Sequence, residues 1–236
     1  MTTTFVFPPH QGAALAIEGS DARFPVRRVY CVGRNYAGHA REMGSDPSRE
    51  PPFFFTKPGD ADAVVAVAPG ATAELPFPPQ TNNFHHECEL VVAIGKGGAD
   101  IAVEDAAAHI FGYAVGFDMT RRDLQNRMKD AGRPWEIGKA FDFSAPVGTL
   151  HPAAAVAGIE DAAITLQIDG ATKQTGHINE MIWSIPETIA NLSTYFTLQP
   201  GDLIFTGTPE GVGAVQRGQT LVGHVDGLSD IAVRFV

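Results

Sequence analysis

Glu87-Cys88-Glu89-Leu90-Val91-Val92-Ala93-Ile94 joins two acidic residues to an unbroken apolar run. A run this short and this apolar reads as a strand buried in a sheet. Side chains alternate across an extended strand, so Glu87 and Glu89 share one face and Cys88 takes the other. Two carboxylates side by side repel, and they need either a solvated face or a counter-charge. A hard divalent cation with oxygen ligands, such as Mg²⁺, Mn²⁺ or Ca²⁺, would supply the latter. The spacing alone leaves both readings open.

Downstream, Phe111 to Phe117 is a second strand that ends at Asp118, where a helix opens over about Thr120 to Lys129. A carboxylate at such a junction either caps the helix or adds a third metal oxygen. Arg122 and Gln125 stand three apart and project from one face at the helix N-terminus, where the dipole favours an anion. Arg121 reads as a surface charge. Val103 to His109 suits a two-turn helix by composition.

Upstream, the strand Val29-Tyr30-Cys31-Val32 stops at Gly33, after which Asn35 is placed to cap a short helix carrying His39 and Glu42. At i and i+3 the carboxylate can orient the imidazole for general-base work on water, or the two can form a surface pair. Phe53 to Phe55 and Val64 to Val67 read as buried strands around a turn at Pro58-Gly59-Asp60. Lys57 follows the aromatic strand and Lys139 follows Pro134 to Gly138, and such a lysine either snorkels to water or neutralises an anion. His85, His86 and His177 show no partner pattern.

In the second half, Asp169-Gly170 marks a hairpin. Ser184 and Glu187 have capping-box spacing, with Ile185, Ile189 and Leu192 as an apolar stripe. A turn and strand at Gly201 to Thr206 run into Gly207 to Gly213, a loop too glycine-rich for core. Residues 1–25 read as an irregular arm or edge strand, and 26–236 as one catalytic body.

The 25 Gly and 17 Pro imply many turns between short apolar runs, hence a β-rich α+β fold with few, short helices. A formal charge of -10 disfavours nucleic acid and anionic membranes as partners. No apolar run approaches the ~20 residues of a membrane span, and the N-terminal stretch lacks a signal pattern, so a cytoplasmic location is expected. Cys31 and Cys88 have no metal-site spacing and are expected to be reduced thiols.

Six segments together resemble the fumarylacetoacetate hydrolase superfamily. They are Gly33-Arg34-Asn35-Tyr36 with His39 and Glu42, Phe55-Thr56-Lys57-Pro58, His86-Glu87-Cys88-Glu89-Leu90, Phe117-Asp118 with Arg122 to Gln125, Gly138-Lys139, and Thr206 to Gly213. The resemblance implies a mixed β-roll with a bent, partly open barrel, a homodimer, and Mg²⁺ or Mn²⁺ held by Glu87, Glu89 and Asp118. It also implies His39, Glu42, Lys139 and Gln125 as catalytic residues and Arg34, Tyr36, Lys57, Arg122 and Thr208 as substrate contacts. The lead-in Phe24 to Gly33 and the loop Arg49 to Phe55 resemble the subgroup of bacterial fumarylpyruvate hydrolases of gentisate degradation.

The implied reaction is metal-dependent hydrolysis of a carbon–carbon bond in a small anionic 2,4-diketo acid. Such an acid can chelate an ion through its C1 carboxylate and C2 oxygen. His39, oriented by Glu42, would deprotonate the water that attacks C4, with Lys139 and Gln125 or Arg122 on the oxyanion. General acylpyruvase, oxaloacetate decarboxylase and dienedioate isomerase or decarboxylase activities are the alternatives within the family. A non-catalytic anion-binding module would have no need of His39 with Glu42. A phosphoesterase would need a P-loop or a two-metal set, and the sequence has neither.

Overall fold

The computed structural model describes residues 4–10, 12–42 and 49–236. Its centre is a curled mixed sheet of eight strands. In spatial order these are Phe53–Lys57, Arg28–Gly33, Asp202–Phe205, Cys88–Ile94, Ile110–Phe117, Ala145–Val147 and Val64–Ala66, with His151–Pro152 paired to Ile110–Phe117. Asp202–Phe205 runs parallel to Arg28–Gly33, and Ala145–Val147 runs parallel to Val64–Ala66; the other pairings are antiparallel. A five-stranded sheet, Ala171–His177, Ala163–Ile168, Thr220–Val225, Ile231–Phe235 and Thr72–Leu75, packs against one face.

The alternation along Cys88–Ile94 explains the layering. Cys88, Leu90, Val92 and Ile94 point into the core shared with Ile164, Leu166, Leu221 and Val233. Val91 and Ala93 point the other way, into a second core with Val29, Cys31, Leu203 and Phe205. Each such aliphatic side chain contributes about 1.5–3 kcal/mol on burial. The second core is closed by the N-terminal segment, where the strand alternative of the expected arm or edge strand holds: Ala14–Ile17 and Ser20–Pro25 form a hairpin. Leu15 and Phe24 supply its buried face.

Four short α-helices occur among the described residues: α1 (Ala37–Glu42), α2 (Arg122–Asp130), α3 (Glu136–Lys139) and α4 (Ile185–Tyr195). The Ser184–Glu187 capping box starts α4 as its spacing predicts, and Ile185, Ile189 and Leu192 are buried. The Asp169-Gly170 turn joins its two strands with both residues at positive φ.

Several local expectations are corrected. Val103–His109 is a 3-10 helix, and α2 starts at Arg122 because Thr120–Arg121 pairs with the Phe84–His86 strand. Asp118 therefore does not cap α2, whose N-cap is Arg121. Arg121 is half-buried, its guanidinium 4.3 Å from the centre of the Phe141 ring, so it is not a free surface charge. Phe53 is exposed and Phe54 and Phe55 are only half-buried, since their strand lies at the sheet edge. Residues 206–209 are buried despite the glycine content, and both cysteines are free and buried.

Candidate active site

Glu89, at the start of the Cys88–Ile94 strand, Glu87 just before it, and Asp118 just after Ile110–Phe117 meet because those strands are antiparallel neighbours. One oxygen of each lies within 4.8 Å of the others, and all three residues are buried. Three cations surround them. Lys139 Nζ donates to Glu87 Oε2 at 2.8 Å, Asp118 Oδ2 at 2.7 Å and Thr120 Oγ1 at 2.7 Å. Arg122 pairs Nη2 with Glu87 Oε1 and donates from Nη1 to Gln125 Oε1 at 2.5 Å. Lys57 Nζ lies 2.8 Å from Asp118 Oδ1 and donates to the carbonyls of Met119 and Lys139.

This arrangement separates the two glutamates electrostatically. Burial pushes Glu87 up, but Lys139 and Arg122 more than offset it and hold the carboxyl well below the usual range. Burial also pushes Glu89 up, and the neighbouring charges of Asp118 and Glu87 drive it further the same way. Among the described residues no cation pairs with Glu89, which accepts a hydrogen bond from the Gly207 N–H at 2.7 Å. Asp118 Oδ1 touches Lys57 but receives no well-directed hydrogen bond. Of the three carboxylates Glu89 is thus the one without a cationic partner among the described residues, and an all-oxygen donor set of this kind fits a hard divalent ion. Gly207 makes the approach possible: at φ 100°, a Cβ there would stand 2.7 Å from that of Asn35.

A cavity of about 500 Å³, open mouth included, lies over the carboxylates. His39 lines it, 6% exposed. Its Nδ1 faces Glu42 Oε2 at 3.4 Å, a long contact. Glu42 also accepts the N–H groups of Gly211 at 3.2 Å and Val212 at 3.4 Å. The bond to His39 and these two outweigh partial burial and hold Glu42 below the ordinary carboxylate range. Arg34, Gln125, Arg122, Lys139 and Thr208 line the same cavity.

Two expected substrate contacts fall elsewhere. Lys57 is fully buried beneath Asp118, off the cavity wall, so it does not snorkel to water. Tyr36 is also off the wall; its backbone bridges Met181 and its buried hydroxyl has no partner among the described residues. Thr208 reaches the wall, but its hydroxyl donates to Cys88 O at 2.7 Å and accepts from Gln174 at 2.8 Å. Asn35 does not cap α1: its amide spans the Trp183 and Thr206 carbonyls at 2.9 and 2.8 Å.

Two residues join the site that sequence reasoning left aside. Neutral His85 accepts the Arg122 Nε–H at Nδ1 (3.3 Å) and faces Asn83 Oδ1 with Nε2 (2.7 Å), an arrangement set by burial and Arg122, which pull its pKa to about 4. Gln174 accepts from Cys88 N and bonds His86, while its amide donates to Thr208 and Pro209. Gln174 thereby fixes the chain on both sides of Glu87. Its contacts cross 34 to 88 residues of sequence, so no local signal marks it.

Residues 28–236 match the model of the fumarylacetoacetate (FAA) hydrolase C-terminal family. The chain belongs to the fumarylacetoacetate hydrolase family. Membership makes it an enzyme, a hydrolase of carbon–carbon bonds, and its β-rich curled sheet is that family's fold. Within the family it is 46% identical to the fumarylpyruvate hydrolase of a Ralstonia species over 80% of this chain and 94% of that one. It is 40% identical to a mitochondrial oxaloacetate tautomerase of Arabidopsis thaliana over 86% and 88%. The crystal structure of fumarylpyruvate hydrolase from Pseudomonas aeruginosa, in complex with Mn²⁺ and pyruvate, superposes with a TM-score of 0.96 at 62% identity, covering 99% of both chains.

Proposed function

We propose that this member of the family hydrolyses a 2,4-diketo acid, with fumarylpyruvate split to fumarate and pyruvate in gentisate degradation as the preferred reaction. The observation that carries the reading is the meeting of three buried carboxylates with His39 in one cavity, with Glu42 against the Nδ1 side of that imidazole. The 62% identity with a hydrolase of that substrate supports the choice of acyl group. Glu87, Glu89 and Asp118 would hold Mg²⁺ or Mn²⁺. Such an ion would polarise the pyruvoyl end of the substrate and ease departure of pyruvate as its enolate.

The protein's own groups do the proton work. With Nδ1 turned to Glu42, His39 has Nε2 for a water, and it takes the proton as the water oxygen adds to C4. The C3–C4 bond then breaks; C4 becomes the fumarate carboxylate and C3 takes the proton back from His39. Gln125 Oε1 is occupied by Arg122, which keeps the Gln125 amide N–H groups for the C4 oxyanion. An ammonium has three protons, and all three of Lys139's are engaged, so Lys139 balances the carboxylate charge. Lys57 does the same for Asp118 from below.

The enzyme works as a cytoplasmic homodimer, with 26–236 as the catalytic body and the Ala14–Ile17 and Ser20–Pro25 hairpin packed into its second core. No helix of the described residues is long and apolar enough to cross a membrane. The 40% identity with an oxaloacetate tautomerase favours a second reading, action on oxaloacetate. Pyruvate release from fumarylpyruvate, acetylpyruvate and oxaloacetate, measured side by side with Mg²⁺, tests the choice. A kcat/KM highest for fumarylpyruvate is expected, and a preference for oxaloacetate would replace this reading by the second.

A further inference from the structure

Arg122, Gln125, Asn126 and Lys129 stand at i, i+3, i+4 and i+7 of α2, and all four line the cavity. They form one face of the helix, graded from floor to mouth: Arg122 and Gln125 are buried, Asn126 and Lys129 exposed. Seven residues of helix cover about 10 Å. Arg34 lines the same cavity, held at φ 57° in a backbone region that long side chains rarely adopt. The wall also carries two aromatic rings, Phe55 and Trp135, with centroids 5.9 Å apart.

The cations at the two ends differ in how they are used. At the floor, Arg122 and Lys139 are bound to Glu87 and Asp118. Among the described residues, neither Lys129 nor Arg34 has an ion pair, and Arg34 makes only a cation–π contact with Phe53 at 5.5 Å. Lys129, without a counter-charge, therefore stands about seven helical residues from Arg122 at the carboxylate floor, and Arg34, likewise without one, lines the same cavity. An extended seven-carbon chain spans about 8 Å between its terminal carbons at ordinary bond lengths, which matches that reach. A four-carbon acid anchored at the floor falls short of it.

We infer that Arg34 and Lys129 form a second anion subsite at the cavity mouth, which receives a carboxylate at the far end of the acyl group and selects dicarboxylate acylpyruvates over monocarboxylate ones. The inference rests on the hydrolase reading above for the orientation of the substrate, pyruvoyl end to the floor. Lys129 and Arg34 are specificity residues here, with no part in bond breaking.

Binding of two non-cleavable probes of equal length tests it: 2-oxoheptanedioate, with a distal carboxylate, and 2-oxoheptanoate, without one. Calorimetric titration into the Mg²⁺-saturated protein is expected to show the dicarboxylate about tenfold tighter, as for two partly exposed charge contacts. In Lys129→Met the preference falls to about twofold or less while the affinity for 2-oxoheptanoate stays put, and Lys129→Glu reverses it. Added salt erodes the wild-type preference. Equal affinity of the wild type for both probes, or an equal loss for both in Lys129→Met, overturns the subsite. Pyruvate release from fumarylpyruvate is scored separately: a protein that keeps the Lys129-dependent preference but releases none retains the subsite and loses the hydrolase reading.

Discussion

The ammonium of Lys139 donates to Oδ2 of Asp118 at 2.7 Å, with both side chains almost wholly removed from water. The buried carboxylates outweigh burial of the ammonium and raise its pKa. Removing one partner of such a pair leaves a buried charge uncompensated, at a cost of about 3–5 kcal/mol. Lys139→Met should therefore melt well below the wild type in chelator, and Mg²⁺ should raise its Tm by more than it raises that of the wild type. Calorimetry with and without Mg²⁺ checks this; an equal rise in both proteins would mean that the ion does not replace the lost charge.

His39 and Glu42 should behave as one unit. General-base catalysis contributes about 10²- to 10⁴-fold, so kcat should fall in that range in His39→Ala and by no more in Glu42→Gln. The double variant should be little slower than His39→Ala, because groups acting together are non-additive. Mn²⁺ affinity should be unchanged in all three. Glu42 also accepts the Gly211 and Val212 N–H groups, so Glu42→Ala should speed amide exchange there and His39→Ala should not. Wild-type kcat in both single variants would demote the pair to a surface contact.

Gln174→Leu should destabilise the fold by about 2–4 kcal/mol, since it leaves the buried Cys88 N–H and the Thr208 and Pro209 acceptors without their partner. Urea unfolding at constant m-value measures it. Divalent-ion affinity should weaken as well, because Glu87 sits between the two residues that Gln174 holds. Unchanged affinity would show that Glu87 is positioned without it.

His224 contacts Asp230 Oδ1 at 2.6 Å and Asp226 Oδ1 at 3.1 Å. Its hydrogen bond to Asp230 raises its pKa above the ordinary 6.5, while the bond to His224 lowers that of Asp226 below 3.8. A raised histidine stabilises fully below its unfolded pKa and loses this as pH rises through the folded one. A lowered aspartate stabilises above its unfolded pKa and loses this as pH falls. The cluster therefore contributes most between about pH 4 and 6.5. The Tm difference between wild type and His224→Gln should be widest there and close at alkaline pH; a difference independent of pH would contradict the assignment.

How much of this the sequence reveals depends on the range of each signal. The Glu87–Ile94 alternation, the Ser184–Glu187 box and the Asp169-Gly170 turn depend on near neighbours, so their periodicity and spacing are legible. The 3-10 form of Val103–His109 is not, because the composition suits either helix. The triad is legible as separate carboxylates, while its convergence needs the pairing of two strands about 25 residues apart. Lys139 is legible as a cation but not as one with all its protons engaged. Its position follows from α3 packing on α2 at Gly138, where a Cβ would stand 2.8 Å from the Gln125 backbone nitrogen. Lys57 shows the limit most plainly, since whether a lysine after a strand snorkels or turns inward depends on Asp118, 61 residues away.

The most direct test of the account is pyruvate formation from fumarylpyruvate by exhaustively metal-stripped protein as Mg²⁺ or Mn²⁺ is added back. Three converging carboxylates with one lacking a cation predict negligible release in chelator, saturable recovery with either ion, and equimolar fumarate and pyruvate. Glu89→Gln should shift the recovery curve to higher ion concentration. Full pyruvate release in the stripped protein, or the same recovery curve in Glu89→Gln, would contradict the assignment of this site to a catalytic divalent ion.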